Sequence, residues 1–174
     1  MFSDKNKINH EVYASSQSFF QLDKKKIDTL IQKAKLTPRN RVRFCSHSSS
    51  EESVHEMFIV HPRGAYVRPH KHLNKPESML IIEGKVDFFI FDDNGNIKEK
   101  VSMGDYNSGL PFYNSLRISE YHSMIIHTEW LVFLEVTKGP FNKKDTIHSE
   151  WSPKDEDTKS IFNFIKMMKD WSDE

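Results

Sequence analysis

The segment GAYVRPHKHLNKPESMLIIEG, from Gly64 to Gly84, constrains this chain more than any other. Its apolar and branched residues read as strand, turn, strand, with Asn74 and Pro76 marking the turn. On a strand, His70 and His72 leave from one face, about 7 Å apart along the chain, so both imidazoles can grip one metal ion. Glu77 follows the turn and can supply an oxygen ligand from the returning segment. One stretch thus proposes a fold, a metal site and a pocket.

The rest of the middle is also β in character. Val54–Val60, Tyr66–His72, Ser78–Ile82, Lys85–Phe91, Ile97–Val101, Ser115–Ile118, His122–His127 and Leu131–Val136 are short and rich in branched and aromatic residues. Asp93-Asn94-Gly95-Asn96 is a strong hairpin turn. Many short strands without intervening helices predict a mainly β fold, a small β-barrel or jelly roll. Helical spacing of Ile27, Leu30, Ile31 and Ala34 predicts an N-terminal helix over residues 23–36, stopped by Pro38 and packing on a sheet edge or a partner subunit. Ile161, Phe162, Phe164, Ile165, Met168 and Trp171 predict a C-terminal helix. Residues 1 to about 20 look irregular, with Phe19–Phe20 as an anchor. The expected division is an arm and helix at 1–40, the barrel at 41–153 and a helix at 154–174.

Composition excludes some functions. Basic and acidic residues both number 25, so a dedicated nucleic-acid binder is not expected. The longest apolar runs, such as Trp130 to Val136, suit buried strands and are far too short to span a membrane. The opening MFSDKNKINHE lacks the apolar core of a signal peptide, and the lone Cys45 fits a reducing compartment, so a cytoplasmic setting is expected.

A fourth ligand should come from a strand facing the first cluster. His122 begins such a strand after a polar turn, whereas His127, five residues on, points to the opposite face. His70, His72, Glu77 and His122 are therefore the expected ligands of one divalent transition metal per chain: zinc, iron, nickel, manganese or copper. Alternation places Tyr66 and Arg68 on the ligand face, Tyr66 as an acid or base and Arg68 as a clamp for a substrate anion. Met79 and Ile81 continue the Glu77 face and would line the substrate cavity. Glu135, in the apolar run LVFLEV, is either a partner of a ligand histidine, half of an ion pair or a catalytic carboxylate. His10, His47, His55, His61 and His148 read as surface or packing residues. No partner for Cys45 as a nucleophile can be assigned.

The segment from Gly64 to Gly84 matches the first cupin motif in full: glycine, five residues, His-x-His, four residues, glutamate, six residues, glycine. Of the second motif His122 alone carries over, because Arg117, Ser119 and Ile126 stand where a proline, a glycine and an asparagine are usual. Further markers are Thr37-Pro38-Arg39-Asn40-Arg41 with Arg43 and His47, then YVRPHKHLNKPES, FLEVTKGPF and Trp151-Ser152-Pro153. Together they resemble the WbuC family of cupin metalloproteins across residues 37 to 153. The resemblance implies a cupin-type jelly roll with a helical N-terminal part, a bound metal, and a role in surface polysaccharide or related sugar biosynthesis. The Arg41, Arg43 and Trp151 segments are expected at the pocket mouth or a subunit contact.

Three functions fit these residues. The first is a metal-dependent enzyme of isomerase or epimerase type, acting on a small polar metabolite such as a sugar derivative. The second is a non-catalytic, metal-dependent ligand-binding module, and the third an iron-dependent dioxygenase. A homodimer is expected for any of them.

Overall fold

The structure, a computed structural model, describes residues 6–172. Eight strands carry the topology: β3 (Val54–Pro62), β4 (His70–His72), β5 (Glu77–Glu83), β6 (Lys85–Phe91), β7 (Ile97–Gly104), β8 (Tyr113–Leu116), β9 (Tyr121–Ile126) and β10 (Trp130–Lys138). They pair antiparallel in a nested set, β3 with β10, β4 with β9, β5 with β8 and β6 with β7. Such nesting is a long hairpin rolled on itself. Its tip is the predicted Asn-Gly turn, where Gly95 has φ 91° and the Asp92 carboxylate accepts from the Asn94 and Asn96 amides.

Rolling deals alternate strands into two sheets. One runs β1-β2-β3-β10-β5-β8, where β1 (Val12–Ala14) and β2 (Val42–Cys45) extend the edge. The other runs β11-β4-β9-β6-β7, with β11 (Thr146–His148) beside β4. The molecule is therefore mainly β, a jelly roll built as two facing sheets rather than one closed sheet. Between them Met57, Ile59, Met79, Ile81 and Phe133 of the first sheet meet Val86, Phe88, Met103 and Ile126 of the second.

Both expected helices are present. α1 (Lys24–Ala34) is capped by the Asp23 carboxylate, and its predicted stripe, Ile27, Leu30, Ile31 and Ala34, is buried. It lies on the outer face of the first sheet, against Val42, Phe44, Val60 and Val132, and not on an edge as expected. The inward alternation of β2, β3 and β10 leaves those residues pointing out, and only a face offers an apolar area that wide. α2 (Thr158–Asp170) covers the second sheet, where Met168 joins Phe89, Phe91, Tyr121 and Ile125. Trp171 falls just beyond it and Phe162 points to solvent. Among the described residues no helix is long and apolar enough to cross a membrane.

Three expectations are corrected. The strand predicted from Tyr66 is regular only from His70 to His72, because residues 65–69 leave the ladder and tie to the segment after β11 instead. The strand predicted at Ser115–Ile118 sits two residues earlier. The N-terminal arm is not wholly irregular: β1 pairs parallel to β2. Of the predicted anchor, Phe20 stacks on Phe44 at 5.0 Å while Phe19 is exposed.

Candidate metal centre

The rolled hairpin explains how residues distant in sequence meet. His70 on β4 is the direct cross-strand partner of His122 on β9. Their rings lie 4.4 Å apart, and the His72 ring is 5.1 Å from that of His70, on the shared face that the two-residue spacing implies. Glu77 begins β5 in the opposite sheet and closes the group. Its carboxylate oxygens lie 2.8 Å from Nε2 of His122 and 3.1 Å from Nε2 of His72. Phe88 stacks against His122 and walls the cluster from the core.

Each histidine is aimed by a contact at its other nitrogen. Nδ1 of His70 lies 2.9 Å from the Arg68 carbonyl and Nδ1 of His122 lies 3.1 Å from the Glu120 carbonyl. Nδ1 of His72 lies 3.0 Å from the Thr146 hydroxyl. A carbonyl only accepts, so Nδ1 of His70 and of His122 carries the proton. On His70 this leaves the Nε2 lone pair inward, whereas Nε2 of His122 donates to the Glu77 carboxylate and must give up that proton to ligate. One ligand atom from each histidine lies within 4.8 Å of the others. Two nitrogens on one ion about 2.1 Å away stand at most about 4.2 Å apart, so a small inward movement suffices. The donor set fits a divalent transition metal, with Glu77 already at the separation of neighbouring ligands. His127 lies apart, its Nε2 3.0 Å from Asp87 on the other side of the sheet.

The charges are coupled. Burial alone would raise the Glu77 carboxyl, but His122 and His72 hold it well below the usual carboxylate range. Burial opposes charge on His122 too, yet Glu77 outweighs it and raises the imidazole. His70 has no such carboxylate contact. Burial, then the neighbouring His122, push it down to about 3, so it is neutral and ready to ligate at ordinary pH.

The cluster opens into a cavity of about 470 Å³ between the sheets, lined also by Tyr66, Arg68, Met79, Glu135 and Arg43. A wider groove of about 750 Å³ beside α1 on the outer sheet face contains no histidine and no second cluster of metal-ligating groups. Met79 faces the cavity as expected; Ile81, one step further in, belongs to the core instead of the cavity wall. Tyr66 and Arg68 reach the cavity without the strand that was to place them. The Tyr66 hydroxyl donates to the Pro153 carbonyl at 2.9 Å, and Arg68 Nη2 donates to the Ser149 carbonyl at 2.6 Å.

Glu135 also faces the cavity, between Met57 and Met79 on the neighbouring strands. Neither expected structural partner is there: its carboxylate forms no hydrogen bond or ion pair with any described residue. Burial, then the charge of Glu77, push its carboxyl up.

The sequence reading missed three contributors. His55, His61 and His148 line the cavity, and the His148 ring lies 5.8 Å from that of His70. The alternation in Thr146-Ile147-His148 was the available signal, since it puts Thr146 and His148 on one face of β11, opposite His72 and His70.

With this geometry in hand, the comparisons with known proteins are modest. A family model described as a domain of unknown function, DUF6016, matches residues 22–103, which include His70, His72 and Glu77 but not His122. No curated protein matches the chain. Among solved structures the chain is similar to protein SO0799 from Shewanella oneidensis, at 10% identity over 61% of this chain and 72% of that one, with a TM-score of 0.49. It is similar to CapF bound to 3-isopropenyl-tropolone, at 16% identity over 63% of this chain and 31% of that one, with a TM-score of 0.49. It is also similar to Bacillus subtilis oxalate decarboxylase, a protein with Mn(II) centres, at 17% identity over 70% of this chain and 29% of that one, with a TM-score of 0.46. The chain thus spans under a third of the length of the last two. At such values none of them carries a metal or a substrate across to this chain.

Proposed function

We propose that this protein is a metal-dependent enzyme of isomerase or epimerase type, acting on a small polar metabolite such as a sugar derivative. The observation that carries the reading is the convergence of His70, His72, His122 and Glu77 at the wall of a cavity large enough for such a molecule. When bound there, a divalent ion would act as a Lewis acid on a carbonyl or hydroxyl oxygen. Glu135 is the proton-handling group: a carboxyl raised by burial and engaged in no hydrogen bond can take or return a proton on a ligand in the cavity. Tyr66 and Arg68 hold the cavity wall through the 149–153 segment, Arg68 with guanidinium N–H groups left for a ligand. The resemblance of residues 37–153 to the WbuC family supports a sugar derivative of surface polysaccharide biosynthesis. The lone Cys45 supports a cytoplasmic setting, and the commonness of symmetric pairing supports a homodimer.

One observation favours the non-catalytic alternative. The Tyr66 hydroxyl already donates to Pro153, so one of the two expected acid-base groups is committed to structure. The test is to identify any small molecule that co-purifies with the protein and incubate it with metal-loaded enzyme in deuterated water. Exchange of a carbon-bound hydrogen, lost in Glu135→Gln and unchanged without oxygen, is expected. Tight binding without exchange would establish the binding module, and a strict need for oxygen the dioxygenase.

A further inference from the structure

The cavity has a second pole. Its inward positions form rungs across the first sheet: Glu77, Thr137 and His55; then Met79, Glu135 and Met57; then Ile81, Phe133 and Ile59, with Arg43 beyond Ile59 on β2. Two rungs on one strand face span about 13 Å, so Arg43 enters from the end remote from Glu77. Arg39 and Arg41 stand beside it in the wall, and Glu11 holds both. Arg43 has no such anchor. It is exposed at the edge of the cavity it lines, where its charge acts on the Glu135 carboxyl, but its guanidinium makes no hydrogen bond or ion pair with any described residue. Arg68 is less free, since its Nη2 and Nε donate to Ser149 and Ser152.

The charge balance points the same way. Arg39, Arg41, Arg43, Arg68 and Lys75 line the cavity against the carboxylates of Glu11, Glu77, Glu135 and Asp155. A divalent ion at the histidines makes the enclosed charge more positive still. Nearby His61 adds none, because burial and then Arg43 push its pKa down to about 4. The cations outnumber the carboxylates by one before any metal is bound, an excess that favours an anionic ligand, and a planar guanidinium fork matches a carboxylate or phosphate.

We propose that Arg43 is the anion clamp of this cavity, taking a carboxylate or phosphate group of a small ligand whose other end offers an oxygen to the histidine cluster. The proposal rests on the metal-enzyme reading and adds the substrate class, an anionic metabolite and not a neutral one.

The test uses the full chain loaded with zinc, titrated calorimetrically with inorganic phosphate, malonate and neutral glucose, as wild type, Arg43→Ala and Arg43→Lys. Phosphate or malonate should bind the wild type more tightly than glucose, and Arg43→Ala should weaken that anion by about tenfold or more at unchanged zinc content. Arg43→Lys keeps the charge without the fork and should fall between. The anion that loses more on Arg43→Ala identifies the group as phosphate or carboxylate. Equal anion affinity in wild type and Arg43→Ala, or no anion binding to the wild type, overturns the proposal. Failure of the wild type to take up zinc would overturn the metal reading instead, and the same titrations of metal-free protein would still report on Arg43.

Discussion

The two faces of the six-stranded sheet are made by alternate residues of the same strands, yet they differ in kind. On the outer face Val42, Phe44, Val60 and Val132 meet α1 in a wholly apolar contact, with Leu30 fully buried. On the inner face the residues between them include Arg43, His61, Glu77, Glu135 and Thr137, set among Met57, Met79 and Phe133. The outer face holds the fold together by removing apolar surface from water. The inner face gives up part of that gain to keep polar groups in a cavity, and a half-buried carboxylate without a hydrogen bond, such as Glu135, is costly there. Stability and chemistry are thus separated by the pleat of one sheet.

The separation should show most strongly at the ligands. His70→Ala should weaken metal binding by more than about 100-fold, beyond the 10–100-fold expected for loss of a group that only orients a ligand. Titration of purified protein with zinc would measure it, and thermal unfolding without metal should change far less. Next, Leu30→Ala on the outer face should lower stability by about 2–5 kcal/mol in denaturant unfolding while leaving metal affinity unaltered. A fall in metal affinity with it would show that the two faces are coupled.

Thr146→Val removes the contact at Nδ1 of His72 without touching a ligand, and metal affinity should drop by about 10–100-fold. The smallest effect has the opposite sign. Glu135→Met should raise stability by about 1 kcal/mol at neutral pH, since it replaces a half-buried carboxylate that lies between two methionines and makes no hydrogen bond, and should abolish turnover. Because the folded state raises the Glu135 pKa, its cost is present above that raised value and fades as pH falls towards the ordinary carboxylate range. The gap between wild type and Glu135→Met should therefore narrow on acidification.

How much of this was legible in the sequence depends on how local the signal is. His70, His72 and Glu77 were readable because two-residue spacing and a tight turn bring them together whatever the rest of the fold does. His122 was readable against His127 because the pleat puts them on opposite faces, and the structure sends His127 to Asp87. Tyr66 and Arg68 were extrapolated along a strand that begins only at His70, so the alternation used for them was never in force. The absence of any partner for Glu135 depends on which side chains reach it from β3, β5 and the facing sheet, which no local pattern records. The alternation of Thr146 and His148 puts them on one face of a three-residue strand, but only the pairing of that strand with β4 turns the face towards His70 and His72. Arg43 was marked by the family resemblance and expected at the pocket mouth or a subunit contact; its direction towards the cavity follows from its register with Ile59, which no local pattern records.

The central claim is that the cavity between the sheets holds a metal through three histidines of the five-stranded sheet and a glutamate of the six-stranded one. Elemental analysis of wild-type and His70→Ala protein, each purified without added metal, tests it most directly. The account predicts about one divalent transition metal per wild-type chain and a large loss in His70→Ala; equal metal content in the two proteins, or none in the wild type even after incubation with zinc, manganese, iron, nickel and copper, would contradict it.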